Sequence, residues 1–153
     1  MPRFERGCRA FAVQEQGRLV AYGWLSTQAE WVGEVSAQIS PGTHEAYVWN
    51  CVTLPDHRRR GHYRALLEGI IATARREGLV RLWIGSVDDP AEKANTDVGF
   101  VPVLIVSMRR FGGLSWLRIV PDRAARKDLV RDAYRRMNHR WWSAVRRTRR
   151  RVH

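Results

Sequence analysis

One junction constrains this chain more than any other segment. Residues 45–54 alternate β-branched and aromatic residues as a buried strand does, and residues 62–77 read as a helix. Between them lies Pro55-Asp56-His57-Arg58-Arg59-Arg60-Gly61, a crowded arginine turn with one glycine. A strand running directly into a helix is an anion site in outline. The first-turn N–H groups have no intrahelical partner, and the helix dipole places partial positive charge there. Gly61 permits close backbone approach. Arg58, Arg59, Arg60 and Arg64 add forked donors suited to phosphate. An ordinary basic turn looks similar, so the surrounding elements must decide.

Those elements agree. Residues 10–25 read as two strands hinged at Glu15-Gln16-Gly17, a hairpin signal. Helix 62–77 carries Leu66, Leu67, Ile70, Ile71 and Ala74 on one face, and Gly78 follows as a C-terminal stop. A short strand over 79–84, a short helix over 90–98 and a strand over 101–108 opened by Gly99-Phe100 complete the series. The order β-β-β-α-β-α-β predicts an α+β, three-layer architecture: a twisted mixed sheet with flanking helices.

The Arg58-x-x-Gly61-x-Tyr63 turn, with this order and the Gly-Phe after the short helix, resembles the GNAT superfamily of acyl-CoA-dependent N-acetyltransferases over roughly residues 8–110. The resemblance implies acetyl-CoA as co-substrate and a primary amine as acceptor. It implies that strand 45–54 splays from its neighbour near Cys51 to Thr53. There Val52 and Thr53 would hold the pantetheine arm, with the Val52 N–H facing the thioester oxygen as it gains charge. The diphosphate would lie against Arg58, Arg59, Arg60, Gly61, His62, Tyr63 and Arg64. Glu45 is the first candidate for general base, with His44 and Glu34 as others; Tyr47 or Tyr63 could supply the acid. Three departures accompany the likeness. The strand-helix-helix unit that usually precedes the hairpin is missing: either the chain is a piece of a longer enzyme, or it is a reduced form whose acceptor side is open. Tyr63 stands where a small residue is usual. Asn95 occupies the place, four residues before the Gly-Phe glycine, where many members carry a tyrosine.

Composition sets limits on the rest. A chain of 153 residues suits one folded body, here 1–110, followed by a basic extension, 111–153, mainly helical from about 123. No run of apolar residues is long enough for a membrane span, and no leader-like start is evident, so a cytoplasmic setting is expected. Cys8 and Cys51 cannot form a disulfide framework or a zinc site, and Cys51 reads as a core residue. No metal site is expected: His57 and His62, five apart on a turn, read as facing solvent or ligand phosphate. Asp88 and Asp89 read as turn and cap residues.

The formal charge of +12 is unevenly placed. Residues 1–105 hold 12 basic and 12 acidic side chains, whereas residues 106–153 hold 15 and 3. In that extension Pro121-Asp122 offers a helix N-cap. Val130, Tyr134, Met137, Trp141 and Val145 then recur at helical spacing, with Arg131, Arg135, Arg140, Arg146 and Arg147 mostly off the stripe. Such a helix could cover the sheet with a solvated basic face. It could also engage RNA, DNA or an anionic membrane surface, with Trp141 and Trp142 stacking or sitting at an interface. Two functional readings therefore stand: an acetyl-CoA-dependent N-acetyltransferase, or a non-catalytic module that binds an anionic partner through its C-terminal helix. The edge left exposed by the absent first strand would also favour a homodimer.

Overall fold

A computed structural model describes residues 3–33, 37–86, 89–111 and 114–138; the side chains of residue 89, residues 108–117 and residue 138 are not described. A single 3-10 turn, Phe4–Arg6, precedes strand β1, Arg9–Glu15, and strand β2, Arg18–Ser26. These two pair antiparallel from Arg9↔Leu25 to Glu15↔Arg18. Their connection is the expected tight turn: Gln16 and Gly17 both have positive φ, 51° and 76°, the twist that matches a two-residue hairpin.

Two short strands not foreseen from the sequence come next, β3 (Glu30–Val32) and β4 (Ala37–Ile39). At three residues each they are too short to show a period. Strand β5, Glu45–Thr53, enters as expected and is followed by a 3-10 turn, Pro55–His57, and helix α1, His62–Arg76. Strand β6 (Arg81–Ile84), helix α2 (Asp89–Asp97), strands β7 (Leu104–Phe111) and β8 (Leu114–Pro121), helix α3 (Lys127–Arg136) and strand β9 (Met137–Asn138) complete the chain order.

The main sheet runs β1-β2-β5-β6, antiparallel except for the parallel β5–β6 pair that α1 connects. One face is sealed by α1. Leu66, Leu67, Ile70 and Ala74 are buried there, and Leu66, Leu67 and Ile70 join Ala21, Leu25, Ala46 and Val48 in one apolar cluster. Ile71, expected on the same stripe, is only half-buried. Gly23 is where helix and sheet come closest: a Cβ would lie 2.7 Å from Cys51 Sγ and 3.2 Å from Leu66. The stop at Gly78 is a Schellman arrangement, with Leu79 N–H donating to Ala74 O and Gly78 N–H to Arg75 O. Among the described residues no helix is long and apolar enough to cross a membrane.

Two expectations for the later part of the chain need correction. The seventh strand pairs only with β8, from Leu104↔Pro121 to Phe111↔Leu114, as a separate two-stranded unit. The C-terminal helix begins at Lys127 rather than near 123. Asp122 does not cap it: its Oδ1 accepts the Ala124 N–H at 2.8 Å in a local turn, and Arg126 takes the N-cap position. This helix also stops at Arg136, because Met137 turns extended and pairs with Ile39 of β4. Trp141, Trp142, Val145, Arg140, Arg146 and Arg147 lie outside the described residues, as do Glu34 and Asp88.

Glu45 joins these parts. Its carboxylate, in a residue only 5% exposed, accepts from Arg136 Nε at 2.8 Å, Trp83 Nε1 at 2.9 Å, the Gly42 N–H at 3.0 Å and Arg81 Nη1 at 3.3 Å. Arg81 also reaches Asp132 Oδ2 at 2.8 Å. One buried charge thereby ties β5, β6 and α3 together. Burial pushes the Glu45 carboxyl up, but Arg136, Trp83 and Gly42 together outweigh it and hold it below its ordinary value of 4.5. A depressed carboxylate pKa stabilises the fold above the unfolded value, and that contribution is lost as pH falls through the folded value. Glu45→Gln should therefore cost about 1.5–3 kcal/mol at neutral pH in urea unfolding. The gap from wild type should shrink below the ordinary glutamate range; a gap that stays constant into acid would contradict the network.

Candidate active site

The opening at the sheet centre follows from unequal pairing. The fifth strand pairs with β6 only from Glu45↔Arg81 to Val48↔Ile84. It pairs with β2 along almost all its length, from Ser26↔Tyr47 to Ala21↔Thr53. Residues 49–53 therefore keep one strand edge unpaired by β6. The β2 side is irregular at the same level: Tyr22 faces Val52, Trp24 faces Trp49, and Asn50 with Cys51 oppose Gly23. This is a β-bulge, and Asn50 at φ 48° bears its backbone strain.

The divergence expected near Cys51 to Thr53 is thus present, but it redirects one expected role. Leu54 N–H donates to Val20 O at 2.9 Å. Alternation along an antiparallel pair then turns the Val52 N–H toward Tyr22 as well. On this pattern Val52 is not the donor on the unpaired edge; the Thr53 N–H is.

The chain leaves this edge through the arginine loop. Arg59 and Gly61 both adopt left-handed conformations, φ 62° and 82°, and Gly61 is the N-cap of α1 with no side chain capping the helix. The first intrahelical bond runs from Ala65 N–H to Gly61 O at 3.0 Å. Arg58, Arg59, Arg60 and Arg64 are all exposed. Arg58 Nε donates to Thr53 O at 3.3 Å, which fastens the loop to the end of β5. Arg64 pairs with Glu68 at 2.8 Å one turn along the helix. Arg60 lies 3.8 Å from Glu15 on the hairpin tip. Arg58 and Arg59 face no carboxylate among the described residues.

Tyr63 does not lie idle at the position where a small residue is usual. Its hydroxyl donates to the Asn95 side-chain oxygen at 3.1 Å, and Asn95 is buried. The two departures noted in the sequence are therefore in contact. Asn95 also accepts, through its backbone oxygen, the Phe100 N–H at 3.1 Å, so the Gly99-Phe100 stop holds it in place.

Glu45 cannot serve as expected. It lies seven residues from Val52 along an extended strand, about 23 Å away at ~3.3 Å per residue. Its lone pairs are taken by the donors described above, and a depressed pKa makes it a weak proton acceptor. His44 is exposed at that same far end. Cys51 is confirmed as a packing residue: burial pushes its thiol up to about 12, so it stays neutral and is no nucleophile.

Sequence reasoning missed two further groupings. Arg3 lies over both Trp24 and Trp49, which touch each other at 6.2 Å between ring centres; its guanidinium carbon is 4.8 and 4.6 Å from those centres, at the level of the bulge. The indole N–H groups of both tryptophans are buried without a partner. Glu15 on the hairpin tip also converges with His57 and His62. Spacing along the chain hides both: Arg3, Trp24 and Trp49 are far apart, and Glu15 lies 42 residues from His57.

Comparison with known proteins identifies the family. No curated protein is similar in sequence. Among solved structures, a protein described as an acetyltransferase from Agrobacterium tumefaciens str. C58 superposes with a TM-score of 0.48 at 26% identity, covering 62% of each chain. A ribosomal-protein-alanine N-acetyltransferase from Brucella melitensis biovar Abortus 2308 gives 0.49 at 18% identity, covering 71% of this chain and 72% of its own. The aminoglycoside N-acetyltransferase AAC(6')-Iy, solved with CoA, gives 0.47 at 17% identity, covering 60% and 66%. The chain thus spans less than two thirds of the Agrobacterium protein's length. The family model described as "Acetyltransferase (GNAT) family" matches residues 2–100, more than half of the chain and the whole of the strand opening and arginine loop. By that match the chain belongs to the GNAT acetyltransferase family.

Proposed function

We propose that the protein transfers the acetyl group of acetyl-CoA to a primary amine. The observation that carries this reading is the juxtaposition of an unpaired edge of β5 with a glycine-capped start of α1, in a chain of the GNAT family. The pantetheine arm would extend β5 as a short extra strand, using the free edge at residues 49–53. The diphosphate would lie on the first-turn N–H groups of α1, favoured by the helix dipole and by Arg58 and Arg59. The thioester oxygen would meet the Thr53 N–H, which takes the place first expected for Val52.

Chemistry then needs little more than position. A neutral amine attacks the thioester carbon, the carbonyl oxygen gains charge, and the C–S bond breaks as the tetrahedral species collapses. The departing thiolate needs a proton, for which we assign Tyr63: its hydroxyl proton, which rests on the Asn95 side-chain oxygen, would turn to the thiolate, and solvent would restore it. The amine proton passes to solvent. The alternative reading, a non-catalytic module acting through its basic tail, rests on residues 139–153, outside those described.

Calorimetric titration with acetyl-CoA tests the cofactor assignment. A non-glycine residue at the left-handed Gly61 costs about 1–2 kcal/mol, and a carboxylate there repels phosphate. Gly61→Glu should therefore weaken binding at least tenfold (~1.4 kcal/mol) relative to wild type. Equal affinity in the two proteins would remove the assignment. Tyr63→Phe should leave acetyl-CoA affinity in place and lower kcat on the order of 100-fold, the low end for a lost general acid. An unchanged kcat would return the acid role to Tyr47 or to water.

A further inference from the structure

We propose that Glu15, His57 and His62 form a binding site for a divalent transition-metal ion of the zinc class, joining the tip of the β1–β2 hairpin to the start of α1. The three side chains come from three separate elements. Glu15 is the last residue of β1, His57 ends the 3-10 turn, and His62 opens α1. Their donor atoms converge: Glu15 Oε2 lies 3.3 Å from His57 Nδ1, Glu15 Oε1 lies 3.7 Å from His62 Nε2, and all three donor atoms are within 4.8 Å of one another.

This spacing is close to what an ion requires. Ligand bonds of about 2.0–2.1 Å around a tetrahedral centre separate neighbouring donors by about 3.4 Å. The two carboxylate–imidazole approaches, one through each Glu15 oxygen, lie on either side of that distance, and a small rotation of the carboxylate or of a ring brings one donor from each residue toward it. The imidazole planes are inclined at 55° with centroids 6.1 Å apart, so the rings are tilted rather than stacked.

The strongest single sign is His62 Nε2. It is buried and has no hydrogen-bond partner among the described residues, a costly state for a polar atom that lies 3.7 Å from a carboxylate oxygen. An ion between them would satisfy both. Two imidazoles and one carboxylate form a donor set suited to zinc or its first-row neighbours and leave a fourth position for water or an anion. The competing contact is weak: Arg60 sits 3.8 Å from Glu15 Oε2, beyond hydrogen-bond reach, with its side chain 57% exposed.

The site stands independently of acetyl transfer, since it is built from the hairpin tip and the loop whether or not acetyl-CoA binds. Co2+ titrated into the untagged, chelator-stripped full chain should give the intense visible absorption of a tetrahedral site at one ion per chain, displaced by Zn2+. Glu15→Gln, His57→Ala and His62→Ala should each weaken binding by more than the roughly 10–100-fold that outer-shell changes cost metal sites. His44→Ala should leave it unchanged. Thermal unfolding in the absence of metal checks that each variant is folded, and the three variants serve as independent replicates. Absence of saturable binding, or binding that survives all three substitutions, would overturn the proposal.

Discussion

The fifth strand runs out of partners halfway. It is held by β2 along almost its whole length and by β6 only up to Val48, and this inequality leaves a strand edge open at the sheet's centre. A sheet that stayed paired to Thr53 would have no free edge at its centre and no room beside α1. Strand β6 ends at Ile84, and α2 follows after a short link. The gap is maintained from the other side by the bulge at Asn50 and Cys51, which Gly23 accommodates because it has no side chain to collide with Cys51 or Leu66.

Such an opening weakens the sheet where it is cut, and the molecule offsets this at the strand's opposite end. There Glu45 gathers Arg81, Arg136, Trp83 and the Gly42 N–H around one buried carboxylate. The same residue type that could have been a base in an open pocket is a fastener here, because its donors outnumber its free lone pairs. The unpaired end of β5 and the buried network at its other end therefore involve different residues of one strand.

Much of this was legible in the sequence wherever the signal was local. The Gln16-Gly17 turn, the α1 stripe, the Gly78 stop and the strand-to-helix arginine turn each rest on a few neighbouring residues, and each is where periodicity and turn chemistry place it. Long-range partnerships were not legible. Glu45 meets Arg136 across 91 residues and Trp83 across 38, and Tyr63 meets Asn95 across 32. Two departures from a family pattern, read separately, looked like losses; in space they touch. Periodicity also overshot at α3. The apolar spacing from Val130 to Met137 is genuine, but pairing of Met137 with Ile39 ends the helix before the pattern does. For Asp122 the local signal was ambiguous, since aspartate after proline suits a turn as well as a cap.

The central claim is that the unpaired edge of β5 and the glycine-capped start of α1 act as one cradle for the CoA arm and its diphosphate. Residue-resolved amide hydrogen exchange with and without CoA tests this most directly. The account predicts slowed exchange at Thr53 and across Gly61, His62 and Arg64, with Leu25 and Val48 in the paired core unchanged. Slowed exchange confined to other parts of the molecule, or none at all under saturating CoA, would contradict it.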